Sequence, residues 1–100
     1  MFAITGTMSW DPSEHDALAE VLASLAEASQ SEAGNVAYVW SADIRQPGTF
    51  HIYEHWASEE TFNAHCAGDA YNAFMSGWMP KIKAVSAHRH EISGSTSLTG

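Results

Sequence analysis

Changes in the spacing of apolar residues divide this chain into six elements. Phe2 to Met8 is short and rich in Phe, Ile and Thr, which predicts a strand. Asp11-Pro12-Ser13-Glu14 reads as a helix start. Asp11 can accept a backbone N–H, Pro12 suits the first helical position, and Glu14 would complete a box-like cap. Leu18, Val21, Leu22 and Leu25 then recur with helical spacing and predict one apolar stripe. Gly34 closes the connection that follows.

Val36 to Ile44, rich in Val, Tyr and Trp, and Phe50 to Trp56 read as strands that flank the turn signal Gln46-Pro47-Gly48. They are expected to pair as an antiparallel hairpin. Ser58-Glu59-Glu60 caps a second helix, with acids at its positive end. Gly68-Asp69 breaks or kinks it, Tyr71, Phe74, Met75 and Trp78 resume the apolar stripe, and Pro80 ends it. Ala84 to Ile92 predicts a last strand. The order β-α-β-β-α-β implies an α+β fold, a ferredoxin-like two-layer sandwich with helices on one face of an antiparallel sheet. Residues 1–93 then form a single domain, and the Ser/Thr/Gly-rich residues 94–100 a loose tail.

Alternation along the third strand sets Phe50, Ile52, Glu54 and Trp56 on one face and His51, Tyr53 and His55 on the other. The first set is expected to face the helices. A one-residue slip would exchange Glu54 for His55. The second set is too aromatic for a bare surface, and a second copy of the sheet is the expected cover.

Charge narrows the partners. Four Lys and Arg against 12 Asp and Glu give a net charge of −8. That repels phosphate backbones and anionic lipid, so neither nucleic acid nor a membrane surface is expected. No apolar run is long enough to span a bilayer, and the N-terminus has no signal-peptide pattern. One cysteine, Cys66, excludes an internal disulfide. These features point to a cytoplasmic protein. Six histidines invite a metal reading. Yet His51 and His55 lie roughly 13 Å apart along a strand, and His88 and His90 about 7 Å apart, which suits surface or interface roles better than chelation. They could converge only if the third and last strands met in a dimer, and no metal site is assigned. His15 is expected to face solvent. Cys66, adjacent to His65 on a helix, points about 100° away from it and is poorly placed as a nucleophile.

The most distinctive stretch runs from Phe50 to His65. A strand ending Tyr53-Glu54-His55-Trp56, then a capped helix carrying His65, resembles the antibiotic biosynthesis monooxygenase domain family. Asp69-Ala70-Tyr71, with Phe74 three residues on, resembles the same family's continuation. The resemblance implies a homodimeric α/β barrel. It also implies a range of activities, among them cofactor-independent oxidation of phenols, anthrones or quinols. Trp56 stands where the anthrone-oxidising branch carries a pocket tryptophan. Ile52 and Phe62 replace that branch's asparagine and tyrosine and remove polar groups from the site. The haem-degrading branch needs a tryptophan and a histidine where this chain has His65 and Met75, so haem is not an expected ligand.

The resulting expectation is a cofactor-free monooxygenase acting on a small aromatic substrate. Spacing places His65 on the apolar side of its helix with Phe62 and Cys66. His65 would act as base or proton relay and Glu54 would fix its tautomer. Ile52, Trp56, Phe62, Tyr71, Phe74 and Trp78 would form the substrate pocket. The same Glu54–His65 pair could instead simply tie a helix to a strand end. Two other functions fit the same residues: a non-catalytic module that binds an aromatic metabolite or serves a stress response, and an oxygen-independent isomerase or cyclase.

Overall fold

The computed structural model describes residues 1–100. Four strands, β1 (Phe2–Ser9), β2 (Asn35–Ala42), β3 (Thr49–Trp56) and β4 (Ala84–Glu91), form one antiparallel sheet in the order β2-β3-β1-β4. Three helices, α1 (His15–Gln30), α2 (Glu59–Cys66) and α3 (Asp69–Gly77), complete the chain's regular structure with two short 3-10 turns. The fold is the expected ferredoxin-like α+β sandwich. Gly68 and Asp69 do break the second helical segment, giving separate α2 and α3.

Register fixes which side chains enter the core. Ile52 pairs with Gly6 and Trp40, and Glu54 with Ile4 and Tyr38. Phe50, Ile52 and Trp56 are therefore buried among Leu18, Leu22, Leu25 and Phe74 from the helices. The anticipated phase of β3 is correct. Each large apolar side chain taken fully out of water adds about 1.5–3 kcal/mol. Trp10 joins both ends of this core. Its indole N–H donates to the Trp78 carbonyl at 2.9 Å, and its ring meets Phe50 and Phe74 edge-on.

The helices do not cover the β4 edge, and every residue of β4 is exposed. Arg89 folds back from it over the Phe2 ring at 3.8 Å and pairs with Glu59 at 2.7 Å. No helix or strand follows Glu91, and no helix is long and apolar enough to cross a membrane.

Three local expectations change. Asp11 accepts the Ser13 N–H at 2.9 Å, but the first turn is 3-10 and Glu14 makes no capping box. Glu14 instead lies 3.8 Å from the Lys81 ammonium. His15 is half-buried rather than solvent-facing. Its Nδ1 accepts the Gly48 N–H at 2.9 Å while its ring stacks on Phe50 at 4.9 Å. Met75 turns outward, because the short α3 presents only Phe74 fully to the core.

Gly34 carries the tightest backbone constraint. Its φ is +78°, and a Cβ there would lie 2.2 Å from Thr61 Cγ2. Thr61 belongs to the cap of α2, where Ser58 Oγ accepts the Thr61 N–H. Gly34→Ala is therefore expected to lower unfolding free energy by more than the ~1–3 kcal/mol of left-handed strain alone. Gly77→Ala, with open space around it, should be neutral or slightly stabilising. Urea unfolding of the two variants checks the contrast.

Candidate functional site

The candidate site is built around one imidazole. The capping box of Ser58 and Thr61 starts α2 directly after β3. Its last full turn then drives His65 into the protein, where the residue is 3% exposed. Around it pack Trp56 at 4.8 Å between ring centroids, Tyr71 at 5.2 Å, Tyr38 at 5.4 Å and Phe62 at 6.2 Å. A buried imidazole in so aromatic a setting needs polar partners.

Its principal partner is Glu32. His65 Nδ1 lies 2.6 Å from Glu32 Oε1. An ionised carboxylate only accepts, so the Nδ1 proton belongs to the imidazole. Glu32 sits in the connection between α1 and β2, and its side chain is about one-third exposed. Glu54 lies on the other side of the ring, with its Oε1 4.0 Å from His65 Nε2. That distance is an ion-pair contact and too long for a hydrogen bond. Glu54 Oε1 accepts the Trp56 indole N–H at 3.0 Å instead. The expectation that Glu54 fixes the tautomer is thus corrected: Glu32 holds that position, and Glu54 faces the free nitrogen.

Glu32 was missed because nothing in its neighbourhood predicts the contact. It lies 33 residues from His65, in a connection without periodicity. Its one legible signal is a lone acid just before Gly34, beyond the acidic face of α1.

Burial pushes the Glu54 carboxyl above its ordinary value, against the opposing effects of the Trp56 hydrogen bond and His65. Burial likewise raises the Tyr38 phenol, with the Glu54 charge adding to it. Tyr71 and Cys66 are also raised, chiefly by burial. Cys66 therefore stays a thiol and does not act as an activated nucleophile.

The predicted pocket walls separate into three groups. Phe74 and Trp78, with Val21, Leu25, Ala70 and Ala73, line a groove of about 520 Å³ between α1 and α3, with Glu20 and Ser24 also along it. Ile52 borders a hollow of about 280 Å³ lined mainly by Thr5, Thr7, His51, Ser86 and His88. Trp56, Phe62 and Tyr71 pack around His65 and line neither. A third cavity, of about 170 Å³, lies among Ala19, Leu22, Trp40 and Phe50. None of the three opens onto His65 or Glu54. The four imidazoles of the outer sheet face do not converge on a common point. His51 is held between Thr7 Oγ1 and Asp43 Oδ2, each at 2.9 Å.

A family model described as antibiotic biosynthesis monooxygenase matches residues 1–77. Among solved structures, a Deinococcus radiodurans protein described as a candidate antibiotic biosynthesis monooxygenase superposes with a TM-score of 0.87 and 25% identity over 100% of both chains. A Chloroflexus aurantiacus protein of the same description gives 0.80 and 26% over 97% of each chain. A Nitrosomonas europaea protein, also so described, gives 0.85 and 17% over 94% of this chain and 100% of its own. At that identity the third likeness concerns the fold alone. No curated protein matches the sequence.

Two substitutions separate the carboxylates. Glu32→Ala leaves a buried imidazole without its acceptor and is expected to cost about 1.5–3 kcal/mol, the range for hydrogen bonds to charged groups. Glu54→Gln should behave oppositely. Because the folded-state value of Glu54 is raised, its contribution to stability is full below the unfolded value and lost as pH rises through the folded one. A glutamine cannot ionise, so the variant should lose that decline and be no less stable than wild type at neutral pH. Thermal melts from pH 4 to 8 check both signs.

Proposed function

The chain belongs to the antibiotic biosynthesis monooxygenase family, and on that premise we propose that it is a homodimeric, cofactor-independent monooxygenase of small electron-rich aromatics such as phenols, quinols or anthrones. The observation that carries this reading is the line Glu32–His65–Glu54. It runs from a partly exposed carboxylate, through one imidazole, to a carboxyl shielded by aromatic side chains.

In this mechanism Glu54 is the base. Burial raises its proton affinity, which suits it to take a proton from a weakly acidic substrate. His65 receives that proton at Nε2 and releases the one on Nδ1 to Glu32, which returns it to solvent. A move of about 1 Å brings Glu54 and His65 from ion-pair contact into hydrogen-bond range. The deprotonated substrate supplies the electrons for oxygen. For an anthrone methylene, a C–O bond forms, both hydrogens leave with one oxygen atom as water, and the other oxygen becomes the ring carbonyl. The α1–α3 groove is an apolar slot of suitable size for the rings; it is closed off from Glu54, so in this mechanism the Tyr71 side of α3 has to open before the substrate reaches the base. α3 joins groove and relay: Ala70, Ala73 and Phe74 line the first, while Tyr71 packs on His65. A second copy would cover the outer sheet face, where Val39 and Tyr53 are 49% and 41% exposed.

Oxygen uptake by metal-stripped protein on a panel of hydroquinones, naphthoquinols and anthrones tests the proposal. Wild type should exceed autoxidation. Glu54→Gln and His65→Gln should each lose on the order of 10²-fold or more in rate, the usual contribution of a positioned acid–base group. Full activity in both variants would overturn the mechanism. The burial of His65 favours a second reading, in which the cluster only braces an aromatic-binding module. On that reading ligands would quench tryptophan fluorescence saturably without any oxygen uptake.

A further inference from the structure

The outer face of the sheet differs chemically from the rest of the molecule. No strand residue on this face carries a formal charge, and Asp43, just beyond β2, reaches it from outside the strands. It sits at a corner and is already bound to His51. The ladder sets His55 and His90 on either side of Ala3, and Tyr53 and His88 on either side of Thr5. Four of the six histidines thus share a surface that has no free carboxylate. Two copies of a chain with net charge −8 repel each other, and the face without formal charge is where they can meet.

We infer that this face is a proton-sensitive contact between two copies of the chain, closed while its imidazoles are neutral and opened when they are charged. The inference rests on the homodimer reading above. His51 is not the trigger, since Asp43 on its Nε2 can pair with the charged form. The trigger is His55, His88 and His90. His55 Nε2 is buried without any hydrogen-bond partner, and its ladder neighbours are Ala3 and Ala37. His90 Nε2 meets only the Thr5 hydroxyl, at 2.9 Å, and the His88 and His90 rings are 6.4 Å apart. Facing them across the strands are Thr5, Ala3 and the Tyr53 side chain. Glu54, Arg89 and Glu91 point to the opposite side of the sheet.

Imidazoles take up protons in the range pH 5–8. Between two apposed sheets each added charge would be desolvated, unpaired and repelled by its counterpart across the two-fold axis. The dimer therefore binds fewer protons than two free chains, and it weakens as pH falls. Protonation also reduces the overall negative charge, which favours association. That opposing effect acts over longer distances and is screened beyond about 8 Å at physiological ionic strength, whereas the interface charges are not.

Light scattering on a size-exclusion column at about pH 7.5 and pH 5.0, at one ionic strength, tests this, with circular dichroism reporting that the chain stays folded. The expected result is a halving of the mass at the lower pH. The triple variant His55→Gln, His88→Gln, His90→Gln is expected to keep the dimer mass at both. A wild-type dimer at both pH values would overturn the switch and leave the homodimer standing. A monomer at both would overturn the two together. A folded triple variant that still halves in mass would remove the histidines as the cause.

Discussion

The hydrogen bond between His65 and Glu32 constrains most of what surrounds it. An imidazole 3% exposed cannot be left without an acceptor. To reach it, Glu32 has to leave α1 and approach α2 before β2 begins. Gly34 makes that approach possible, since its positive φ turns the chain where any side chain would strike Thr61. Thr61 and Ser58 cap α2, and α2 in turn carries His65. The bond, the left-handed glycine and the capping box thus form a closed loop of dependencies among α1, β2 and α2. Trp56, Phe62, Tyr38 and Tyr71 pack around the ring and exclude water from it.

The same arrangement decides the chemistry available. With Nδ1 committed to Glu32, only Nε2 is free, and the group nearest to it in charge terms is Glu54. Glu54 is held by the Trp56 indole, and burial pushes its carboxyl above the ordinary value. Family membership brings the general class of chemistry, and in the proposed mechanism these three side chains give proton movement its direction. The groove between α1 and α3 and the polar hollow on the outer face are separate from them. The domain therefore has two chemically different sides. One is a covered aromatic interior with a carboxylate–imidazole line. The other is an open surface of hydroxyls and imidazoles.

Much of this was legible in the residues because it depends on local rules. Strand alternation placed Phe50, Ile52, Glu54 and Trp56 inward without knowledge of their partners. The helix break at Gly68-Asp69 and the cap at Ser58 followed from neighbours one to four residues away. What could not be read depends on distance. Glu32 meets His65 across 33 residues, and neither spacing nor composition encodes that contact. His15 appeared solvent-facing because its partners, Gly48 and Phe50, arrive from a hairpin more than thirty residues on. Residue type marks the aromatic side chains as candidate pocket walls. Which of them share a cavity depends on how α3 lies against α1, which no local pattern fixes.

Nitrogen-15 NMR of the histidine side chains, recorded across neutral pH, examines the Glu32–His65 bond most directly. Ring nitrogen shifts report the tautomer, and the exchange rate of the ring proton reports its shielding. The expected result is a slowly exchanging proton on His65 Nδ1 that becomes labile in Glu32→Gln. A His65 ring protonated only on Nε2, or one whose Nδ1 proton is indifferent to Glu32, would contradict it.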